Sequence, residues 1–268
     1  MPIKLNKYQL DDLCWGYDWQ IEDENLLVKL VAQVLIGWER HVSKVLQGLE
    51  VKKMQGGKNA IEDAVKKLTV TAGDEPWHRD GLIFQIFSWI AANVAADNCV
   101  IIRSPHLIPA QKGFDGLELS INANSNSVTS VTIFEDKATT SPRATVRDKV
   151  WPEFSSFNAG ERESELMQEV CTMLTTRPDL LLDVDSSIEN LMWDQIRCFR
   201  ISITVDKEHI EENAKKSLLK GYDNFVEGDV EKRRAELVNI PDLRLWMEQF
   251  CQCVIEYLFE NEELVEDV

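Results

Sequence analysis

Residues 113–137 read GFDGLELSINANSNSVTSVTIFEDK, and this stretch decides the fold predicted for the 268-residue chain. Apolar and polar residues alternate over 114–121 and again over 128–137, which is the period-two pattern of a strand with one buried face. The asparagines and serines of residues 122–127 are typical of a turn. The stretch therefore predicts two antiparallel strands joined as a β-hairpin.

The segments that flank this hairpin extend it to an α/β core. Upstream, Gly81–Ala96 is apolar on almost every side, as in a helix buried on several faces, and Cys99–Arg103 is a short β-branched strand. Downstream, Glu161–Thr175 has apolar residues at helical spacing, and Arg197–Val205 alternates as a further strand. The predicted order is helix, three strands, helix and strand.

The chain outside this core is predicted to be helical. Asn25–Leu49 repeats apolar residues at helical spacing, and Asn59–Leu68 permits a second helix. Beyond the core, three further helices are predicted, over His209–Leu219, Val230–Val238 and Pro241–Glu260. The predicted organisation is an N-terminal helical part (1–76), a core (77–206) and an acidic C-terminal helical extension (207–268).

The charge of the chain argues against a general affinity for nucleic acid. It carries 29 basic and 46 acidic residues, a net charge of −17, and a surface of that sign repels a phosphate backbone. Residues 161–268 hold 14 of the 17 net negative charges. Between Lys137 and Lys149 the sign reverses to +3, so one basic strip lies in an acidic protein.

Several function classes and locations are disfavoured by what the sequence lacks. There is no apolar run long enough to span a membrane, no signal-peptide pattern, and no Walker or dinucleotide-binding glycine motif. The six cysteines form no C-x-x-C pair, which favours reduced thiols rather than a zinc site. We therefore expect a cytoplasmic protein that does not itself use ATP.

The predicted hairpin brings acidic and basic residues to one end of the sheet. Asp115 begins one strand and Glu135 ends the next, so the two carboxylates are expected to meet. Lys137 lies two residues after Glu135 and shares its face, whereas Asp136 points to the other face and offers only its backbone carbonyl. Hard oxygen ligands of this kind suit Mg²⁺. An ordinary surface ion pair is the alternative interpretation.

A second Glu-x-Lys triplet shows how little the spacing proves by itself. Glu50 and Lys52 have the same spacing, but they follow a predicted helix and no strand or upstream aspartate precedes them. The order of elements around Glu135 is what distinguishes the two copies.

In this order, Asp115 with Glu135-Asp136-Lys137 resembles the PD-(D/E)xK nuclease superfamily, which has a restriction-endonuclease-like core. The resemblance covers about 125 residues of the predicted core (77–206). The segments Trp77-His-Arg-Asp-Gly-Leu-Ile-Phe, Phe114-Asp-Gly and Phe134-Glu-Asp-Lys look most like the nuclease subunit of the Hachiman anti-phage defence system, which works with a separate helicase.

The resemblance implies a metal-dependent nuclease that hydrolyses DNA phosphodiester bonds, as the effector of a bacterial anti-phage defence complex. Asp115, Glu135 and Lys137 would be catalytic. Asp115, Glu135 and the backbone carbonyl of Asp136 would hold Mg²⁺, with Mn²⁺ as an alternative. Many superfamily members also have a glutamate on the first core helix, where this chain offers Asp80 or Gln85.

Other candidates are weaker. Four residues that follow the Glu-x-Lys triplet are predicted to bind nucleic acid, although a solvated helix turn is an equal alternative: Thr139, Arg143, Arg147 and Lys149. His78 precedes the core helix and is a further site candidate, and Asp80 can also serve as the helix cap.

The sequence also supports a rival function and a protein partner. A catalytically silent acidic subunit, which regulates a nucleic-acid-processing partner, would account for the net charge. For the nuclease, we expect two partners, which are DNA and a helicase or other DNA-translocating ATPase. We expect no association with a membrane, and a homo-oligomer is left open. The apolar face of Pro241–Glu260 is a candidate anchor for such a partner, with packing on the same chain as the alternative.

Overall fold

The computed structural model describes residues 1–52, 56–71, 73–108, 113–122, 127–176 and 196–262. These residues form a mixed sheet of seven strands in the order β1-β2-β7-β6-β5-β4-β3. The strands are β1 (Ile3–Leu10), β2 (Cys14–Ile21), β3 (Val100–Ile102), β4 (Gly116–Asn122), β5 (Ser127–Lys137), β6 (Arg197–Val205) and β7 (Arg233–Asn239).

Helices cover both faces of this sheet. Before the central strands they are α1 (Glu24–Leu35), α2 (Glu39–Leu46), α3 (Lys58–Leu68) and α4 (Trp77–Ala95). Between β5 and β6 they are α5 (Pro142–Thr145), a π-helical turn (Val146–Val150), α6 (Trp151–Asn158) and α7 (Glu163–Thr175). After β6 they are α8 (Glu212–Leu218), α9 (Tyr222–Phe225) and α10 (Leu243–Glu260), with 3₁₀ turns at Lys207–His209 and Val230–Lys232.

The predicted order of helix, three strands, helix and strand is confirmed from α4 to β6. Strands β3, β4 and β5 are antiparallel neighbours, and β6 pairs with β5 in parallel. The alternation that predicted β4 places Leu117, Leu119 and Ile121 on a buried face. Two helices that were not predicted, α5 and α6, precede α7. Of the predicted turn at 122–127, residues 123–126 lie outside the described part of the chain.

The predicted helix at Val230–Val238 is wrong, because most of this segment is the buried strand β7. Strand β7 lies between β2 and β6 and is parallel to both. Its apolar Ala235 and Leu237 pack on one face, whereas Arg234 and Glu236 are buried on the other. The burial of Arg234 and Glu236 depends on ion pairs with residues of other strands, which the local sequence does not show.

The N-terminal part is also not purely helical. Residues 3–21 form the β1–β2 hairpin, and β2 pairs with β7. The parts before and after the core, both predicted to be helical, therefore contribute strands to the same sheet as the core.

The single long helix predicted over Asn25–Leu49 is likewise wrong. It divides into α1 and α2 at Gly37, whose φ of 88° lies in the left-handed region that glycine adopts without strain. After this break, α2 packs against both α1 and α4.

The apolar residues form one core on each face of the sheet. Helices α1, α3, α4 and α10 build the first core, and α6, α7 and the residues around α9 build the second. The apolar face of α10 belongs to the first core: Phe250 contacts Phe87 of α4 with ring centroids 5.0 Å apart. Only Leu245 and Phe259 remain as large exposed apolar residues of α10. Of the two interpretations of this helix, packing on the same chain is confirmed.

None of the helices in the described ranges is long and apolar enough to cross a membrane.

Candidate active site

The register of β4 and β5 positions the candidate site at one end of the sheet. Gly116 is paired with Phe134, so Asp115, directly before β4, lies opposite Glu135. A Cβ atom on Gly116 would come within 2.5 Å of the Phe134 ring. Glycine at 116 therefore allows the two strands to approach each other beside Asp115.

Asp115, Glu135 and Lys137 come together as predicted. The Lys137 Nζ atom lies 3.0 Å from Asp115 Oδ2 and 2.6 Å from Glu135 Oε2, so one ammonium contacts two carboxylates. We call these three residues the carboxylate–lysine cluster. Its side chains are largely buried, and Lys137 and Asp115 keep partial access to solvent.

Asp115 is oriented by two further hydrogen bonds. The side-chain amide of Gln85 on α4 donates to Asp115 Oδ1 at 2.6 Å, and the backbone N–H of Asp136 donates to Oδ2 at 2.9 Å. Gln85, one of the additional candidates from the sequence, therefore lies at the cluster and fixes its aspartate.

The Asp136 side chain points to the opposite face of β5, as predicted. Ser88 of α4 donates to its Oδ1 at 2.7 Å in a buried position. Burial raises the pKa of Asp136 to about 7, although nearby Arg200 acts to lower it. At the cluster, Asp136 offers only its backbone.

The electrostatics of the cluster reflect two carboxylates that share a single cation. Burial raises the pKa of Glu135 to about 8, since the opposing effect of Lys137 is partly offset by Asp115. For Lys137, burial acts to lower the pKa, but the charges of Glu135 and Asp115 outweigh it and raise the pKa above its ordinary value.

The cluster has part of the ligand set that a divalent cation needs. One oxygen of Asp115 and one of Glu135 both lie within 3.0 Å of a single point, now held by Lys137 Nζ. A strand residue directs its N–H and its carbonyl toward the same neighbour, so the Asp136 carbonyl faces the Asp115 side. Within the described part of the chain, no group of three His, Cys, Asp or Glu side chains is arranged to hold a metal. The oxygen ligands available are thus two carboxylates and one carbonyl.

The four residues predicted to bind nucleic acid have different environments. Thr139 Oγ1 lies 2.8 Å from Thr145 Oγ1, and Arg143 donates to the backbone carbonyls of Leu218 and Lys220 at 2.8 and 3.1 Å. Arg143 therefore joins α5 to the end of α8. Arg147 and Lys149 are exposed on the π-helical turn, where Arg147 pairs with its neighbour Asp148.

The two remaining candidates lie apart from the cluster. His78 is exposed in the first turn of α4. Asp80 is fully buried and makes ion pairs with Arg79 and with Arg244 of α10. Because α4 begins at Trp77, Asp80 is inside the helix and the predicted helix cap is wrong. Its role is to join α4 to α10.

Arg103 is a residue at the site that the sequence analysis missed. Its backbone N–H donates to the Leu117 carbonyl at 2.9 Å, which brings it to the end of β4 that carries Asp115. It lines a small pocket together with Gln85 and Asp115. The sequence signal that could have identified Arg103 was the antiparallel order of β3 and β4, because the end of one strand lies beside the beginning of the next.

Comparison of the chain with protein-family models and with curated proteins found no match. The interpretation of the site therefore depends on its geometry and on the sequence resemblance.

Proposed function

We propose that the protein is a metal-dependent nuclease that hydrolyses DNA phosphodiester bonds. The observation that carries the proposal is the convergence of Asp115, Glu135 and Lys137 at the ends of two paired strands. The order of elements from α4 to β6, and the placement of Asp136 with its side chain facing away, also agree with a PD-(D/E)xK nuclease.

Asp115, Glu135 and the Asp136 carbonyl would hold Mg²⁺, or Mn²⁺ in its place, in exchange for the Lys137 ammonium. When bound, the ion supplies Lewis-acid polarisation of the phosphate and activation of water. Lys137, released from between the carboxylates, would then orient the attacking water or neutralise charge on the phosphate. Gln85 and the Asp136 N–H keep Asp115 in position throughout.

The partner is a second part of the proposal. A chain with a net charge of −17 resists DNA, so we expect weak and salt-sensitive cleavage by the isolated protein. A helicase or other DNA-translocating ATPase would supply a basic track, attracted by the acidic C-terminal part. Because α10 packs its apolar face on this chain, that helix does not provide the anchor. A role in anti-phage defence rests on the sequence resemblance.

A catalytically silent acidic subunit is the second candidate. It is favoured by the ion pairs of Lys137, because the ammonium already occupies the position between the two carboxylates that a metal would take. This candidate predicts no cleavage and no specific binding of Mg²⁺ or Mn²⁺ at Glu135.

The test is cleavage of supercoiled plasmid and of labelled oligonucleotides in Mg²⁺, in Mn²⁺ and in EDTA. Glu135→Ala and Lys137→Ala should each abolish cleavage and leave the circular dichroism spectrum unchanged. The matched control is Glu50→Ala with Lys52→Ala, which removes the second Glu-x-Lys triplet from an exposed segment. Cleavage that persists in Glu135→Ala, or that needs no metal, would overturn the proposed roles.

A further inference from the structure

A groove of about 690 Å³ shares Arg103 with the small pocket that contains Asp115. Its walls come from α2, the end of α4, the edge strand β3 and α7. Polar uncharged side chains supply much of its lining, including Ser43, Gln47, Asn93, Asn98 and Thr172. The volume is in the range of about 300–1,000 Å³ that is usual for ligand sites.

The groove shares two wall residues with the small pocket at the candidate active site. Trp89 and Arg103 line both the groove and the small pocket that contains Asp115 and Gln85. A ligand that fills the groove would therefore contact the two residues that also line the Asp115 pocket.

The two residues at this junction carry hydrogen-bond donors that lack acceptors. Trp89 is 5% exposed, and its indole Nε1 has no partner among the residues that the structure describes. Arg103 has a side chain 10% exposed and pairs its Nε with Glu169 at 3.5 Å, but its Nη1 has no acceptor in those same ranges. Leaving a buried donor unpaired costs about 1–3 kcal/mol, and more for a charged group, so an acceptor that reached either donor would be favoured.

The groove is lined by equal numbers of basic and acidic side chains. Arg40, Lys44 and Arg103 line it together with Glu39, Asp97 and Glu169, so the groove is close to neutral on a strongly acidic protein. Such a site holds an anion through directed hydrogen bonds more than through long-range attraction. A DNA duplex is far larger than this volume, whereas a short segment of one strand matches it.

We infer that the groove binds the single-stranded segment next to the scissile phosphate, with Arg103 and Trp89 donating to a phosphate of that segment. The inference rests on the proposed nuclease function and names the substrate form that the site accepts. Asn98 and Gln47 offer polar contacts to the sugars and bases of the bound strand.

Binding of fluorescein-labelled oligo(dT), oligo(rU) and duplex DNA, followed by anisotropy in EDTA, tests this inference without requiring cleavage. Wild-type protein should bind the single strands more tightly than the duplex. Arg103→Gln should weaken single-strand binding roughly tenfold or more, since a hydrogen bond to a charged group is lost. Arg103→Lys should recover part of that loss because it keeps the charge. The two single-stranded probes separate DNA from RNA.

A second variant avoids any effect of Arg103 on folding. Arg40→Glu with Lys44→Glu reverses two exposed groove charges and should lower single-strand affinity roughly tenfold at low salt. Its control, Lys29→Glu with Lys66→Glu, makes the same charge change at exposed positions outside the groove and should change affinity much less. Equal losses in the two double variants, or equal affinity for duplex and single strands, would overturn the inference.

The outcomes also separate this inference from the proposed function. If single strands bind in the expected manner but Glu135-dependent cleavage is absent, the groove stands and the nuclease proposal falls. If cleavage depends on Glu135 but neither Arg103→Gln nor the Arg40 and Lys44 reversal affects strand binding, the groove inference is wrong and the nuclease proposal stands.

Discussion

Glu135 and Glu236 are both buried glutamates on this sheet, yet their surroundings shift their pKa values in opposite directions. Glu135 lies near the end of β5 in the carboxylate–lysine cluster, and Glu236 lies in the middle of β7. Burial alone would raise the pKa of either carboxyl group. The difference between them therefore comes from the number of donors and cations that each glutamate meets.

Both carboxylate oxygens of Glu236 accept hydrogen bonds from buried donors. Its Oε2 accepts from Trp19 at 2.7 Å and from Arg200 at 2.6 Å, and its Oε1 accepts from Arg234. Burial acts to raise the pKa of Glu236, but Arg200 and Arg234 outweigh it and hold the pKa below its ordinary value. Arg234 also pairs with Glu118 at 3.2 Å, which extends this buried network across the sheet.

Glu135, in contrast, shares one ammonium with Asp115. The cluster has two carboxylates for one cation, and burial raises the pKa of Glu135 to about 8. A buried site with surplus carboxylate attracts a further cation, whereas a matched network has no such tendency. This contrast supports a structural role for Glu236 and a functional role for Glu135.

The largest expected effect is the loss of stability on removing the Glu236 charge. Glu236→Gln leaves Arg200 and Arg234 buried without their shared carboxylate, and breaking a buried ion pair in this way costs about 3–5 kcal/mol. Urea denaturation should show this loss in the free energy of unfolding. A loss below about 1 kcal/mol would mean that the network does not depend on the charge of Glu236.

The second prediction concerns the pH dependence of stability in EDTA. The pKa of Glu135 is raised in the folded state, so its contribution is fully present below its unfolded pKa of about 4.5 and is lost as the pH rises through about 8. In Glu135→Gln the side chain is uncharged at every pH. Relative to wild type, it should therefore gain at least about 1.4 kcal/mol in the free energy of unfolding between pH 5 and pH 9, the equivalent of one pKa unit.

Glu50→Gln is the control for this measurement, because Glu50 is exposed at the surface. Its difference from wild type should stay flat over the same pH range. A flat difference for Glu135→Gln as well would show that Lys137 keeps Glu135 ionised at all these pH values.

The third prediction uses metal binding to distinguish the two glutamates. Mn²⁺ at about ten times its dissociation constant should stabilise the wild-type protein by about 1.4 kcal/mol, which is a rise in Tm of a few degrees. Glu135→Gln should remove this rise, whereas the fully exposed control Glu50→Gln should retain it. A rise that survives in Glu135→Gln would place the metal elsewhere and remove the main support for the nuclease.

Local sequence patterns predicted the central strands β4, β5 and β6, which are consecutive along the chain and adjacent in the sheet. The alternation over β4, β5 and β6 and the hairpin register placed Asp115 opposite Glu135, because both depend on residues close in sequence. The opposite faces of Lys137 and Asp136 followed from the period of a strand.

The sequence could not reveal what depends on distant partners. Strand β7 was predicted to be a helix. Arg234 and Glu236 of this strand are buried through contacts with β2, β4 and β6, and these contacts are not visible in the local sequence. Such tertiary contacts override local propensity. Arg103 differs from these residues, because it reaches the site through the pairing of β3 with β4, which the predicted strand order already implied.

The smallest expected effect is the change in stability when exposed cations of the basic strip (137–149) are removed. Arg147 and Lys149 lie on the surface, and the Arg147–Asp148 pair is exposed on both sides, so Arg147→Gln with Lys149→Gln should leave the urea midpoint unchanged. If the strip contacts DNA as the sequence predicts, each lost cation should reduce the slope of log affinity against log salt by about one. A slope equal to that of wild type would show that the strip does not contact phosphates. In that case single-strand binding would depend on the Arg103 groove. The four cations between Lys137 and Lys149 would then have separate roles: Lys137 belongs to the cluster, Arg143 to the α5–α8 contact, and the other two side chains are solvated.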